Sequence, residues 1–210
     1  MEKTLIKDNM DRFKSLVKQN CNREGIDDLL QWLEQETDFF IAPASARYHG
    51  SYEGGLLQHS LNVYDCLMSE AKQTFGEDFA NYISIESITI VSLFHDLCKI
   101  DTYVKDFRNI KDSNTGMWET VECYLYNDNC LSLGHASKSI YYIQNYIKLF
   151  QHEAQAIYWH MGAFDLSQYS TTKGLGSAYT NNILAFLLHI ADEKATYIEE
   201  NDVFLSKYYI

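Results

Sequence analysis

A chain of 210 residues, 46% of them hydrophobic, holds enough apolar material for one substantial core and is short for two, so one compact domain is expected across 1–210. A formal charge of −12 argues against broad nucleic-acid binding, because phosphate affinity comes largely from Lys and Arg; a small phosphorylated substrate stays open, since metal ions can supply positive charge locally. One proline, Pro43, and ten glycines are too few turn-formers for an all-β sandwich, which tilts the expectation to helices.

No 18-residue uncharged apolar run occurs, and the first ten residues carry Glu2, Lys3, Lys7 and Asp8 rather than a signal-peptide core. A soluble, cytoplasmic protein without membrane contact is expected. The five cysteines, Cys21, Cys66, Cys98, Cys123 and Cys130, are odd in number and show no C-x-x-C spacing, so reduced thiols are the plain expectation.

In chain order, Leu5, Met10, Phe13, Leu16 and Val17 form one helical stripe within 3–20, and Ile26, Leu29, Leu30 and Leu33 another within 26–36. Together they predict a helical scaffold over 1–40. Pro43, Gly50, Gly54 and Gly55 then mark a loop delivering the chain into a helix from about Leu56, with His59 in its first turns. Residues 86–99 read as an apolar central helix ending in His95, Asp96 and Lys99. Over 102–129 the period changes, and Asp112-Ser113-Asn114-Thr115-Gly116 is a good turn, so an inserted β-hairpin is predicted. Helices follow at about 135–149 and 151–160, then a polar loop over 162–180 and a nearly all-apolar helix at about 182–199 that carries Asp192.

His59, His95, Asp96, His135, His160 and Asp192 are imidazoles and carboxylates, ligands of first-row transition metals, and facing helices can bring them together. Each alone has a plainer reading: a lone helical histidine is commonly core or surface, and Asp192 taken by itself better suits a helix cap or a salt bridge to Lys194 or a distant Arg. As a set they point to metal, because an ionised carboxylate on an apolar helix needs a partner. Asp96 is the natural bridge between two ions. Lys99, three and four residues beyond Asp96 and His95, either meets a substrate phosphate or simply favours the helix dipole. His49 and Arg47 precede the glycine loop; His49 is either a substrate contact or a loop histidine. His189 is either a partner behind a ligand or a core histidine bonded to backbone. His152 is expected at the surface. Tyr103, Tyr124, Tyr126 and Tyr169 could stack bases but suit core and hairpin packing better, and Lys105, Arg108 and Lys111, interleaved with aspartates, suit a solvated face.

Five segments together resemble the HD-domain metal-dependent phosphohydrolases: Gly54-Gly55-Leu56-Leu57-Gln58-His59-Ser60-Leu61, Leu93-Phe94-His95-Asp96-Leu97-Cys98-Lys99-Ile100, Leu133-Gly134-His135, Trp159-His160-Met161-Gly162 and Leu188-His189-Ile190-Ala191-Asp192. They span roughly 40–200 in the family's order. The first run is most similar to the HD domains of certain 3′-5′ exoribonucleases and small phage and bacterial hydrolases. The resemblance implies a mainly α HD-type bundle with the hairpin inserted. It implies His59, His95, Asp96 and Asp192 around a first ion, and His135 and His160 with bridging Asp96 around a second. Met161 stands where some family phosphodiesterases pair two histidines, so the second ion is the weaker implication.

The implied activity is hydrolysis of a phosphoester or phosphoanhydride of a small nucleotide by metal-activated water, with Asp96 and Lys99 catalytic and Lys99 and His49 toward the substrate. Histidine-rich N/O ligation suits one or two ions of Fe, Mn, Co, Ni or Zn, and Mg less well. Two other functions compete: a 3′-5′ exonuclease on single strands, weakened by the acidic charge and the lack of an OB-like domain, and a non-catalytic metal- or nucleotide-binding regulatory module, weakened because all six ligands are intact.

Overall fold

The computed structural model describes residues 3–112, 115–165 and 172–201. Among these the chain is mainly helical, with one antiparallel two-stranded sheet. In chain order the elements are α1 (Lys3–Asn20), α2 (Ile26–Gln35), α3 (Gly55–Phe75), α4 (Ile85–Phe94), β1 (Tyr103–Lys111), β2 (Trp118–Tyr126), α5 (His135–Gln144), α6 (Gln151–Trp159), α7 (Thr172–Asn181) and α8 (Ile183–Lys194). No helix among the described residues is long and apolar enough to cross a membrane. All five cysteines are free, with Cys21 and Cys98 buried.

Helix α4 is the hub. Ser84 caps it by accepting the Ser87 N–H (3.0 Å), which satisfies one of the orphan donors of the first turn. Every residue from Ser87 to Phe94 is buried, so the helix is enclosed on all sides. Around it a continuous apolar cluster runs from Phe13 and Val17 of α1 through Leu29 and Leu33 of α2, Leu56, Leu61 and Leu67 of α3, Ile157 of α6 and Leu184 and Leu188 of α8. The stripe predicted for α2 is buried throughout. In α1 only Phe13 and Val17 are fully buried, and Leu5 lies in solvent.

The loop before α3 needs glycine at one place above all. A Cβ on Gly55 would lie 1.9 Å from the Gly50 carbonyl oxygen. This contact lets the loop fold tightly against the start of α3, and so sets where His59 emerges.

The predicted 86–99 helix ends early, at Phe94. Asp96 has φ −105° and ψ 21°, and a 3₁₀ turn at Leu97–Lys99 follows. Helix α5 pins this turn from the side: Ser139 Oγ accepts the Cys98 N–H (2.9 Å), and the buried Lys138 ammonium donates to Ile100 O and Thr102 Oγ1. Other boundaries also shift. Helix α5 stops at Gln144, and α8 ends at Lys194 and continues as a π-helical turn at Ala195–Glu199. The predicted 162–180 loop instead contains a 3₁₀ turn at Gly162–Asp165 and helix α7, while 166–171, with Tyr169, lie outside the described residues.

The hairpin pairs Tyr103 with Tyr126 through Lys111 with Trp118. Its turn closes where predicted, with the Asp112 N–H donating to Met117 O and the Gly116 N–H to Asp112 O; Ser113 and Asn114 lie outside the described residues. Most of its side chains are exposed. Tyr124 packs inward as expected, but Tyr126 is 58% exposed. Lys105, Arg108 and Lys111 face solvent, and Lys105 pairs with Glu53 and Glu122.

Candidate metal centre

Five helices and their ends deliver six side chains to one place. His59 comes from the second turn of α3, His95 and Asp96 from the break after α4, His135 from the first residue of α5, His160 from the end of α6 and Asp192 from α8. On an unbroken helix His95 and Asp96 would diverge by roughly 100°; the break turns the carboxylate back toward its neighbour. Asp96 then divides its two oxygens. Oδ2 lies 3.6 Å from both His59 Nε2 and His95 Nε2. Oδ1 lies 2.9 Å from His135 Nε2 and 3.6 Å from His160 Nε2. Asp192 Oδ1 closes the first group, 3.1 Å from His59 Nε2 and 3.9 Å from His95 Nε2.

The outer nitrogens of three rings are held from behind. His95 Nδ1 faces Ser92 O (2.8 Å), His160 Nδ1 faces Ile157 O (2.6 Å) and His59 Nδ1 faces Glu200 Oε1 (3.0 Å). Carbonyl and carboxylate oxygens only accept, so Nδ1 carries a hydrogen in each ring and Nε2 is turned inward, where it could ligate an ion. The Nε2 atoms of His59, His95 and His160 are all buried without a hydrogen-bond partner. Buried polar atoms are normally satisfied, and three orphaned imidazole nitrogens converging on carboxylates fit a metal. Buried His, Asp and Cys groups here can therefore hold an ion.

Electrostatics agree. Burial pushes the Asp96 carboxyl up, but Lys99 first, then His95, His135 and His160, outweigh it and hold the group well below the usual carboxylate range. Asp192 is likewise depressed, burial being overcome by His59 first and then by His95 and His160. Burial lowers His95 to about 4, with His160 and His59 adding to it against the pull of Asp96, so its ring is neutral and free to ligate. For His59 burial acts downward, yet Glu200 and Asp192 raise it to about 10. A proton and a metal ion thus compete for its Nε2.

Lys99 is nearly enclosed, its ammonium 2.6 Å from Asp96 Oδ2. In a 3₁₀ turn residues three apart eclipse, which stacks Lys99 directly over Asp96. It is raised above its ordinary value, burial being outweighed by Asp96. The contact adds a third role to the two expected, that of counter-ion to the Asp96 carboxylate. His49 is half-buried, its ring centroid 5.0 Å from that of His59 and its Nε2 buried without a hydrogen-bond partner. Burial first, then His59 and Lys99, lower it to about 4, so it stands neutral beside the site. Arg47 is exposed. His189 Nδ1 bonds His160 O (2.7 Å) and so braces the end of α6, the backbone-bonded histidine of the plainer reading. The close approach requires Gly162, whose Cβ would meet the His189 ring at 2.7 Å. His152 is exposed.

Two contributors carried no signal in the sequence. Glu200 reaches back from the end of the π-helical turn to His59 and also accepts from Asn62 Nδ2 (2.9 Å). Cys98 places Sγ 3.4 Å from His135 Nδ1 and 3.7 Å from Asp96 Oδ1. Among the six candidate residues only His135 has substantial exposure, 28% of its side chain, so the cluster opens at the start of α5. A surface cavity of about 400 Å³ lined by Gly50, Tyr52, Gln58, Asn62 and Glu200 lies behind His59. A larger one of about 720 Å³, around Cys21 to Asp28, contains none of the cluster; its Arg23 is already committed to Glu153 and Glu86. No family model, no curated protein and no solved structure matches this chain.

Proposed function

We propose that this chain is an HD-type metal-dependent phosphohydrolase that cleaves a phosphoester or phosphoanhydride of a small nucleotide. The observation that carries the reading is the division of Asp96, one oxygen toward His59 and His95 and the other toward His135 and His160. In this reading His59, His95, Asp96 and Asp192 hold one ion and His135, His160 and Asp96 a second. Bound ions of this kind lower the pKa of water to near neutrality and bind phosphoryl oxygens.

The protein's own groups supply the rest. Neutral His95 and ionised Asp96 and Asp192 are already in ligating form at pH 7. Glu200 fixes the ring of His59. Lys99, charged and enclosed, offers its ammonium to negative charge on the phosphoryl group. His49, neutral beside His59, offers a hydrogen bond to substrate. The overall charge of −12 favours a compact substrate over a polynucleotide.

Elemental analysis of the purified protein, followed by a phosphoester screen under Mn, Fe, Co, Ni, Zn and Mg, tests this directly. The expected result is bound transition metal and turnover of a nucleotide in preference to a labelled oligonucleotide, both abolished by Asp96→Ala. Turnover unchanged in Asp96→Ala overturns the assignment, and oligonucleotide degradation in preference replaces it with the exonuclease. Absence of both metal and activity restores a non-catalytic module.

A further inference from the structure

We infer that Cys98 is a metal ligand, supplying a thiolate to the ion held by Asp96 Oδ1, His135 and His160. The inference rests on the metal-binding part of the reading above and adds a soft sulfur donor to one half of the centre only. The sulfur is buried, with Sγ 3.4 Å and 3.5 Å from the two ring nitrogens of His135 and 3.7 Å from Asp96 Oδ1. His135 Nε2 is 2.9 Å and His160 Nε2 3.6 Å from the same oxygen.

Two of these spacings, Sγ to His135 Nε2 and His160 Nε2 to Asp96 Oδ1, are those of a coordination shell, and the 2.9 Å between His135 Nε2 and Asp96 Oδ1 is a hydrogen-bond distance. Zinc bonds of about 2.3 Å to sulfur and about 2.1 Å to nitrogen or oxygen, at tetrahedral angles, place S and N about 3.6 Å apart and N and O about 3.4 Å apart. A second observation points to the same spot: His160 Nε2 is fully buried, has no hydrogen-bond partner and faces Asp96 Oδ1. The position of Cys98 is not incidental to a loose loop. Its N–H is held by Ser139 Oγ, and the following residues are held by Lys138.

Coordination breaks the S–H bond; the sulfur lone pair goes to the ion and the proton leaves to solvent. The two halves of the centre then differ in chemistry. The half with His59, His95 and Asp192 has only nitrogen and oxygen donors, whereas the half with Cys98 favours thiophilic ions such as zinc or cobalt over manganese or magnesium.

Cobalt(II) titration of metal-free, fully reduced protein reads this without turnover. Wild type should develop a near-ultraviolet sulfur-to-cobalt charge-transfer band together with visible d–d bands. Cys98→Ser and Cys98→Ala, checked for native far-UV circular dichroism, should lose the charge-transfer band and keep d–d bands from the remaining ligands. Cobalt bound by wild type without the band, or a band that survives in a folded Cys98 variant, overturns the role of Cys98 and leaves the wider metal reading standing. Wild type that binds no cobalt overturns both.

Discussion

Glu200→Leu isolates the contribution of the carboxylate that stands behind His59. The carboxylate accepts from His59 Nδ1 at 3.0 Å and from Asn62 Nδ2 at 2.9 Å, and both contacts are largely shielded from solvent. A hydrogen bond to a charged group contributes about 1.5–3 kcal/mol. At 1.4 kcal/mol per tenfold that is about 10- to 100-fold in affinity, the range found when partners behind metal-ligating histidines are removed. Leucine removes the charge and both bonds; Glu200→Gln keeps an acceptor oxygen for both donors and should lose less than about tenfold. The assay is competition between protein and a chelator for the first equivalent of zinc, compared as the affinity of the form with His59 deprotonated because a proton competes for the same nitrogen, with circular dichroism to establish the fold. A second readout comes from the His59 ring in the metal-free protein, followed by NMR. Burial alone would lower it, and Glu200 is the strongest influence raising it to about 10, so the value should drop in Glu200→Leu. A folded Glu200→Leu that binds the first ion as tightly as wild type refutes the argument.

Three further outcomes are expected. Glu153, fully buried, accepts from both guanidinium nitrogens of Arg23, from Ser87 Oγ and from the Phe150 N–H; Glu153→Gln should cost about 3 kcal/mol, the low end for breaking a buried pair, because Glu86 still receives Arg23. Chemical denaturation should show that loss with no change in metal stoichiometry in the folded state, and a loss near zero contradicts it. Gly162→Ala drives a methyl into the His189 ring and should weaken both stability and zinc affinity, since His189 braces the carbonyl of His160; an unchanged melting temperature argues against it. In chelator-treated protein, Asp96, Asp192 and Glu200 ionise below their ordinary values, so their stabilisation is present above about pH 4 and lost as pH falls through the folded values. His59 acts in the opposite sense: its stabilisation is complete below 6.5 and lost as pH rises through about 10. Melting temperature against pH should fall at both ends, and a flat profile would contradict the charge arrangement.

Periodicity was enough to place the major helices and the hairpin, because a buried helix face or a two-residue alternation is written into neighbouring residues. Leu29, Leu30 and Leu33 illustrate it: their spacing alone makes a stripe, and all three are buried. The six candidate ligands were also legible, as residue types that have little reason to sit on apolar helices without partners. Helix ends were harder. Nothing local in 86–99 announces that the helix stops at Phe94, since the break is imposed from outside by Ser139 and Lys138 of α5.

The partnerships of Glu200 and Cys98 lay beyond the sequence. Glu200 lies 141 residues from His59 and Cys98 37 from His135, and neither has a neighbouring pattern that marks it. The chain by itself determined which residue types could ligate a metal and on which elements they would ride. The resemblance placed Asp96 between two groups of histidines, but only the tertiary structure decided which oxygen faces which pair and at what distance, because that depends on how α3, α5, α6 and α8 pack around the end of α4.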